Sequence, residues 1–197
     1  MVYGKAIIDS TEPKSSFLLR DLLFEYLKPE AKVGRNIVFL CIGTDRSTGD
    51  CLGPLVGEKL KFLVRDRVTV YGNLQNPVHA KNLIETIDKI NSTTDNPYII
   101  AVDACLGSLH NVGKVIIEKK PLTPGAAMNK NLPAVGDISI TGIVNISGAL
   151  EFMVLQNTRL FTVMQLAEVI SKGIYHSVLK TIGGKKSISY DDIQLQV

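Results

Sequence analysis

An unbroken apolar run over residues 36–42 ends in the loop Gly43-Thr44-Asp45-Arg46-Ser47-Thr48-Gly49-Asp50, and Pro54 shortly after it marks the first turn of a helix. The run over 98–102, Tyr-Ile-Ile-Ala-Val, has the same build and leads directly into Asp103. Short runs without polar alternation suit strands covered on both faces, as in parallel sheets. In open sheets of that kind the ligand crevice lies beyond the carboxyl ends of the strands, where Asp45, Asp50 and Asp103 fall. Two acids at the ends of two inner strands make a candidate site.

The remaining periodicity fits strands alternating with helices. Residues 16–27 carry Phe17, Leu18, Leu22, Leu23, Tyr26 and Leu27 at helical spacing, and the helix is expected to stop before Pro29. Residues 55–64 read as helical, 68–71 as a short strand, and 80–90 as a helix with Leu83, Ile84, Ile87 and Ile90 on one face. Residues 113–118 form a third β-branched run. The stretch 121–133, rich in Pro, Gly, Ala and Asn, is expected to be a loop long enough to be functional. Residues 145–155 and 161–179 read as helices, while 1–15 and 183–197 receive no regular assignment. The expectation is a single α/β domain over 1–197, a three-layer sandwich around a mostly parallel sheet.

Composition narrows the function classes. The net charge of +3 is scattered rather than gathered into a basic block, and tryptophan is absent, so neither nucleic acid nor a membrane surface is expected as a partner. Three cysteines, Cys41, Cys51 and Cys105, are odd in number and lack CxxC spacing, which suits buried thiols in a reducing, cytoplasmic compartment. No stretch approaches the 18 or so apolar residues of a membrane span.

Two close carboxyl groups cannot both ionise cheaply, so one keeps a proton near neutrality while the other takes a proton from water. Such a pair hydrolyses a carbonyl compound without a metal or other cofactor. The plainer alternatives are a helix N-cap for Asp50 and an Asx-type turn for Asp103. A metal site would need further ligands. Of the histidines, His79 reads as a cap or packing residue at a helix start, His110 lies in the loop after the Asp103 strand, and His176 lies late in the last helix. A metal set of Asp50, Asp103 and His110 stays open as a minor reading. Cys51 and Cys105 have no neighbouring histidine to activate them and read as buried thiols. A phosphate loop is excluded, because Asp50 stands where such a loop needs Lys followed by Ser or Thr.

Residues 41–54, with GTDRSTGD-x-LGPLVG, and 102–107 resemble the YyaC family of sporulation proteins. That family is similar to the germination protease of spore-forming bacteria and, more remotely, to hydrogenase maturation endopeptidases. LPAVGDISITG-x-VN at 132–145 and LQNTRL at 155–160 strengthen the resemblance. It implies a phosphorylase/hydrolase-like fold and a catalytic aspartate pair at Asp50 and Asp103. It also implies a spore protein as substrate, a place in the forespore cytoplasm, and a site region at 124–130 whose Asn129 and Lys130 position substrate. Asp45 and Arg46 are expected to line the crevice with them. The chain is shorter than the germination protease, so substrate choice does not carry over. Residues 137–141 lack the histidine that completes the nickel set of the hydrogenase endopeptidases, which argues against that metal. The leading expectation is therefore a peptidase-like hydrolase working through an aspartate pair and a water. The alternative is a binding or regulatory protein that keeps the fold without turnover.

Overall fold

The computed structural model describes residues 4–63, 65–124 and 132–183. In chain order the elements are β1 (Lys5–Asp9), α1 (Ser15–Lys32), β2 (Asn36–Cys41), α2 (Leu52–Leu60), β3 (Val68–Tyr71), α3 (Leu83–Thr93), β4 (Pro97–Gly107), β5 (Lys114–Glu118), β6 (Ile138–Ile146), α4 (Glu151–Gln156) and α5 (Leu160–Ile182). The strands form one sheet in the order β1-β5-β6-β4-β2-β3. Strands β3, β2, β4 and β6 run parallel, while β5 is antiparallel to both of its neighbours, β6 and β1. This is the α/β architecture with a mostly parallel sheet that the apolar runs predict.

Burial explains why β2 and β4 lack polar alternation. Their side chains feed two cores by turns. Ile37, Phe39 and Cys41 of β2 and Tyr98, Ile100 and Val102 of β4 join the core beneath α1, α2 and α5. Val38, Leu40, Ile99 and Ala101 join the core beneath α3, with its Leu83 and Ile90. Helices thus cover both faces of the sheet.

Helix α2 lies unusually close to the sheet because Gly53 and Gly57, four residues apart, share one face of it. A Cβ at Gly53 would collide with the carbonyl of Ile42, and one at Gly57 with the carbonyl of Gly72. The absence of those two side chains seats the amino end of α2 at the carboxyl end of β2, and that seating fixes where Asp50 stands.

Four expectations are corrected. Helix α1 does not stop before Pro29 but runs to Lys32 with Pro29 inside it. Proline forfeits one amide, yet its carbonyl still accepts from Val33 N–H at 3.3 Å, and Leu19, Leu23, Tyr26 and Leu27 hold the helix in the core. Asn145 and Ile146, expected in a helix over 145–155, end the inner strand β6, and the helix that follows is only the six-residue α4. The run Ile-Ser-Ile-Thr-Gly-Ile-Val-Asn-Ile, interrupted by Ser139, Gly142 and Asn145, reads as a strand only once β4 and β5 flank it. Residues 5–9, within the unassigned 1–15, form the edge strand β1. Helices α2 and α3 are each displaced by about three residues from the predicted 55–64 and 80–90. The unassigned stretch beyond 183 lies outside the described residues.

Candidate active site

Loop 43–50 connects β2 to α2 and is held by backbone bonds on every side. Gly43 N–H donates to Val78 O at 2.7 Å, Thr44 N–H to Asp50 O at 3.1 Å, Cys51 N–H to Ser47 O at 3.0 Å, and Gly49 N–H to Leu155 O at 2.8 Å. The first of these ties the loop to the segment before α3, and the last ties it to α4. Between these three walls lies a cleft of about 290 Å³, bordered by Thr44, Arg46, Ser47 and Asp50, by His79, Ala80 and Lys81, and by Phe152, Leu155 and Gln156. It sits at the carboxyl ends of the parallel strands, as the sheet rule requires.

Asp50 lines this cleft and is half-buried. Cys51, not Asp50, occupies the N-cap of α2, and no side-chain cap bond closes that helix. Asp103 continues the alternation of β4 on the face covered by α3, opposite Thr141 of β6, and is only 7% exposed. Its Oδ1 accepts from Ala104 N–H at 2.8 Å, a local bond of the kind the turn reading anticipated. That bond does not dominate. Burial pushes the Asp103 carboxyl well above the usual carboxylate range, and the charge on Asp50 pushes it the same way, against the smaller pull of the Ala104 amide. The charge of Asp50 thus acts on Asp103, and the upward shift favours the protonated form of the buried acid.

Arg46 borders the cleft, whereas its exposed neighbour Asp45 is not among the lining residues. Asn129 and Lys130 lie outside the described residues. His110 is exposed on the turn after β4, and His176 packs against Phe17 and Tyr175 in α5. Among the described residues no three His, Cys, Asp or Glu side chains gather closely enough to hold a metal ion, so Asp50, Asp103 and His110 do not form the set left open above. Cys41 and Cys51 are buried as expected, whereas Cys105 is only half-buried. Burial pushes Cys41 up to about 12 and Cys105 up to about 11, and it also raises Cys51, whose Sγ donates to Thr48 O at 2.9 Å.

Lys81, Phe152 and Gln156 were not anticipated in the site. Phe152 and Gln156 come from α4, whose placement depends on β6, and Lys81 comes from a loop that sequence periodicity assigned to a helix. His79 is not the cap of α3, whose N-cap is Asn82; it lies in the turn ahead of that helix and borders the cleft.

These features define an α/β protein with one carboxyl, Asp103, buried within β4 and a second, Asp50, on a cleft just before α2, the charge of the second raising the pKa of the first. The chain belongs to the family described as Protein of unknown function (DUF1256), whose model matches residues 7–173. It is 49% identical over 170 residues to the Uncharacterized protein YyaC of Bacillus subtilis (strain 168), a match covering 86% of this chain and 82% of that one. The resemblance to YyaC read from residues 41–54 is thereby borne out. Among solved structures, the crystal structure of the NiFe hydrogenase maturation protease HycI from Thermococcus kodakarensis KOD1 is similar at a TM-score of 0.42 and 21% identity, covering 76% of this chain and 98% of that chain.

Proposed function

We propose that this protein is a peptidase-like hydrolase in which Asp50 and Asp103 share one proton and activate a water. Asp50 removes a proton from the water as its oxygen adds to the carbonyl carbon of a peptide bond. The pair, now carrying two protons, gives one to the nitrogen as the C–N bond breaks and keeps the other on Asp103, so it ends as it began. The observation that supports this reading is the asymmetry between the acids: Asp103 is buried and raised partly by the charge of Asp50, while Asp50 borders an open cleft. Arg46 would hold the substrate chain, with Asp45, Asn129 and Lys130 as further candidates.

The proposed substrate is a spore protein, met in the forespore cytoplasm, on the strength of the resemblance to the germination protease. No described helix is long and apolar enough to cross a membrane. Incubating the purified chain with small spore proteins and with a proteome-derived peptide library, followed by mass spectrometry, tests the reading. Specific products that disappear in Asp50→Asn and Asp103→Asn, both still folded, are expected. Unchanged cleavage in either variant eliminates the pair, and a stable complex without any product favours the binding protein instead.

A further inference from the structure

The turn ahead of α3 is held by a pair of bonds. His79 N–H donates to Asn82 Oδ1 at 2.8 Å, and Lys81 N–H donates to His79 Nδ1 at 3.3 Å. The arrangement is a pair of side-chain-to-backbone bonds that locks the turn ahead of α3, whose own N-cap, Asn82, makes no side-chain cap bond. It fixes the ring and also its tautomer, because a ring nitrogen that accepts a hydrogen bond cannot carry the proton of the neutral imidazole. The proton is therefore on Nε2, for which there is no partner among the described residues. His79 borders the same cleft as Asp50.

Addition of water to a peptide carbonyl sends an electron pair onto the carbonyl oxygen, and that charge needs a donor already in place. The carboxyl pair does not supply one at that moment, since Asp50 is then accepting a proton and the proton on Asp103 is the one the pair keeps through the cycle. We propose that His79 is the third functional group of this site, donating Nε2–H to the carbonyl oxygen as it becomes negative. The C–O bond to water forms, the water proton passes to Asp50, and the displaced electron pair rests on the oxygen facing His79. When the C–N bond breaks the pair returns to the carbonyl, and His79 ends with the proton it started with. The inference rests on the peptidase reading.

The local geometry separates the two jobs of His79. Its bond to Lys81 N–H spans i to i+2, the reach of an Asx turn, so His79→Asn keeps the acceptor and the helix start but removes the Nε2 donor. His79→Gln instead extends an amide toward the Nε2 position. The substrate probe is a fluorescence-quenched peptide built on the first site cut in the proteome-derived library. For His79→Asn the expected result is a loss of about 100-fold or more in kcat, with KM and the melting temperature close to wild type. Partial recovery is expected in His79→Gln. Activity of His79→Asn within threefold of wild type overturns the inference while leaving the aspartate pair standing. A loss that tracks a lowered melting temperature and is not relieved by Gln overturns it too, by reducing His79 to a structural role in the turn. A wild-type chain that cuts nothing in the library removes the peptidase reading and this inference together.

Discussion

Gly49 and Leu155 meet backbone to backbone: the Gly49 amide donates to the Leu155 carbonyl at 2.8 Å, and a Cβ on Gly49 would lie 2.8 Å from Leu155 Cδ2 and 2.9 Å from Leu155 O. This contact fastens the loop that carries Asp50 to the helix that supplies Phe152 and Gln156. Asn145 Nδ2, which donates to Val154 O at 3.3 Å and to Thr158 Oγ1 at 3.2 Å, holds the same end of α4. One wall of the cleft thus depends on Gly49 having no side chain and on the bonds of Asn145.

Gly49→Ala should therefore push α4 away from the loop. The expected cost is about 1–3 kcal/mol of stability, the usual range for an added methyl group in a filled space. Urea unfolding measures the stability. The same variant should bind or cut a peptide substrate more weakly than wild type, because Phe152 and Leu155 move with α4.

The buried carboxyl of Asp103 sets a pH dependence of stability. Burial and the charge of Asp50 hold its pKa well above the ordinary carboxylate range, so between the unfolded and folded values the folded chain holds a proton that the unfolded chain has released. The stability this confers is complete below about pH 3.8 and is lost as pH rises through the folded value, at ~1.4 kcal/mol for each tenfold difference in proton affinity. Asp103→Asn removes that loss. Relative to wild type it should gain stability as pH rises above about 4, as read by urea unfolding from acidic to neutral pH. Asp50→Asn should bring the Asp103 titration down, though not to an ordinary value, because burial remains the larger cause. Carboxyl carbon NMR follows that titration directly.

The cysteines should be nearly inert. With Cys41 pushed up to about 12 and Cys105 up to about 11 by burial, almost no thiolate exists at neutral pH. Native protein treated with iodoacetamide at about pH 7.5 should stay unmodified at both positions by intact-mass analysis, while the urea-unfolded chain should take up a label at each. Rapid labelling of native Cys41 would contradict its burial.

The seat of α2 is the least forgiving point in the fold. Gly57→Ala drives a methyl group into the carbonyl of Gly72, and backbone cannot swing aside as a side-chain tip can. A loss of about 3 kcal/mol or a failure to fold is expected, against about 1 kcal/mol or less for an alanine substitution at the exposed Glu85 on α3. Thermal melts of the two variants decide it.

The strands β2, β3 and β5 and the helix α5 are legible in the chain because each is long or apolar enough to declare itself, as Ile37 to Cys41 do by having no polar interruption. The two acids are legible for the same reason, since each follows such a run. Strand β6 is not, because Ser139, Gly142 and Asn145 break its apolar pattern. Without β6, the wall supplied by α4 has no predicted position. His79 shows the other limit: the chain suggests a cap at a helix start, a place that Asn82 takes, and does not reveal the side of the molecule on which His79 lies.

Local sequence thus determined the elements whose signal lies within a few consecutive residues and singled out Asp50 and Asp103, but the expected strand end at Val102 is overturned, because pairing with β6 carries β4 through Asp103 to Gly107. Only the tertiary structure decided that the charge of one acts on the other, that Asp103 is the one kept dry, and that His79 and Phe152 face the same cleft. Burial and electrostatic coupling arise between groups some fifty residues apart along the chain, and they exist only once the order β6-β4-β2 sets the strands side by side.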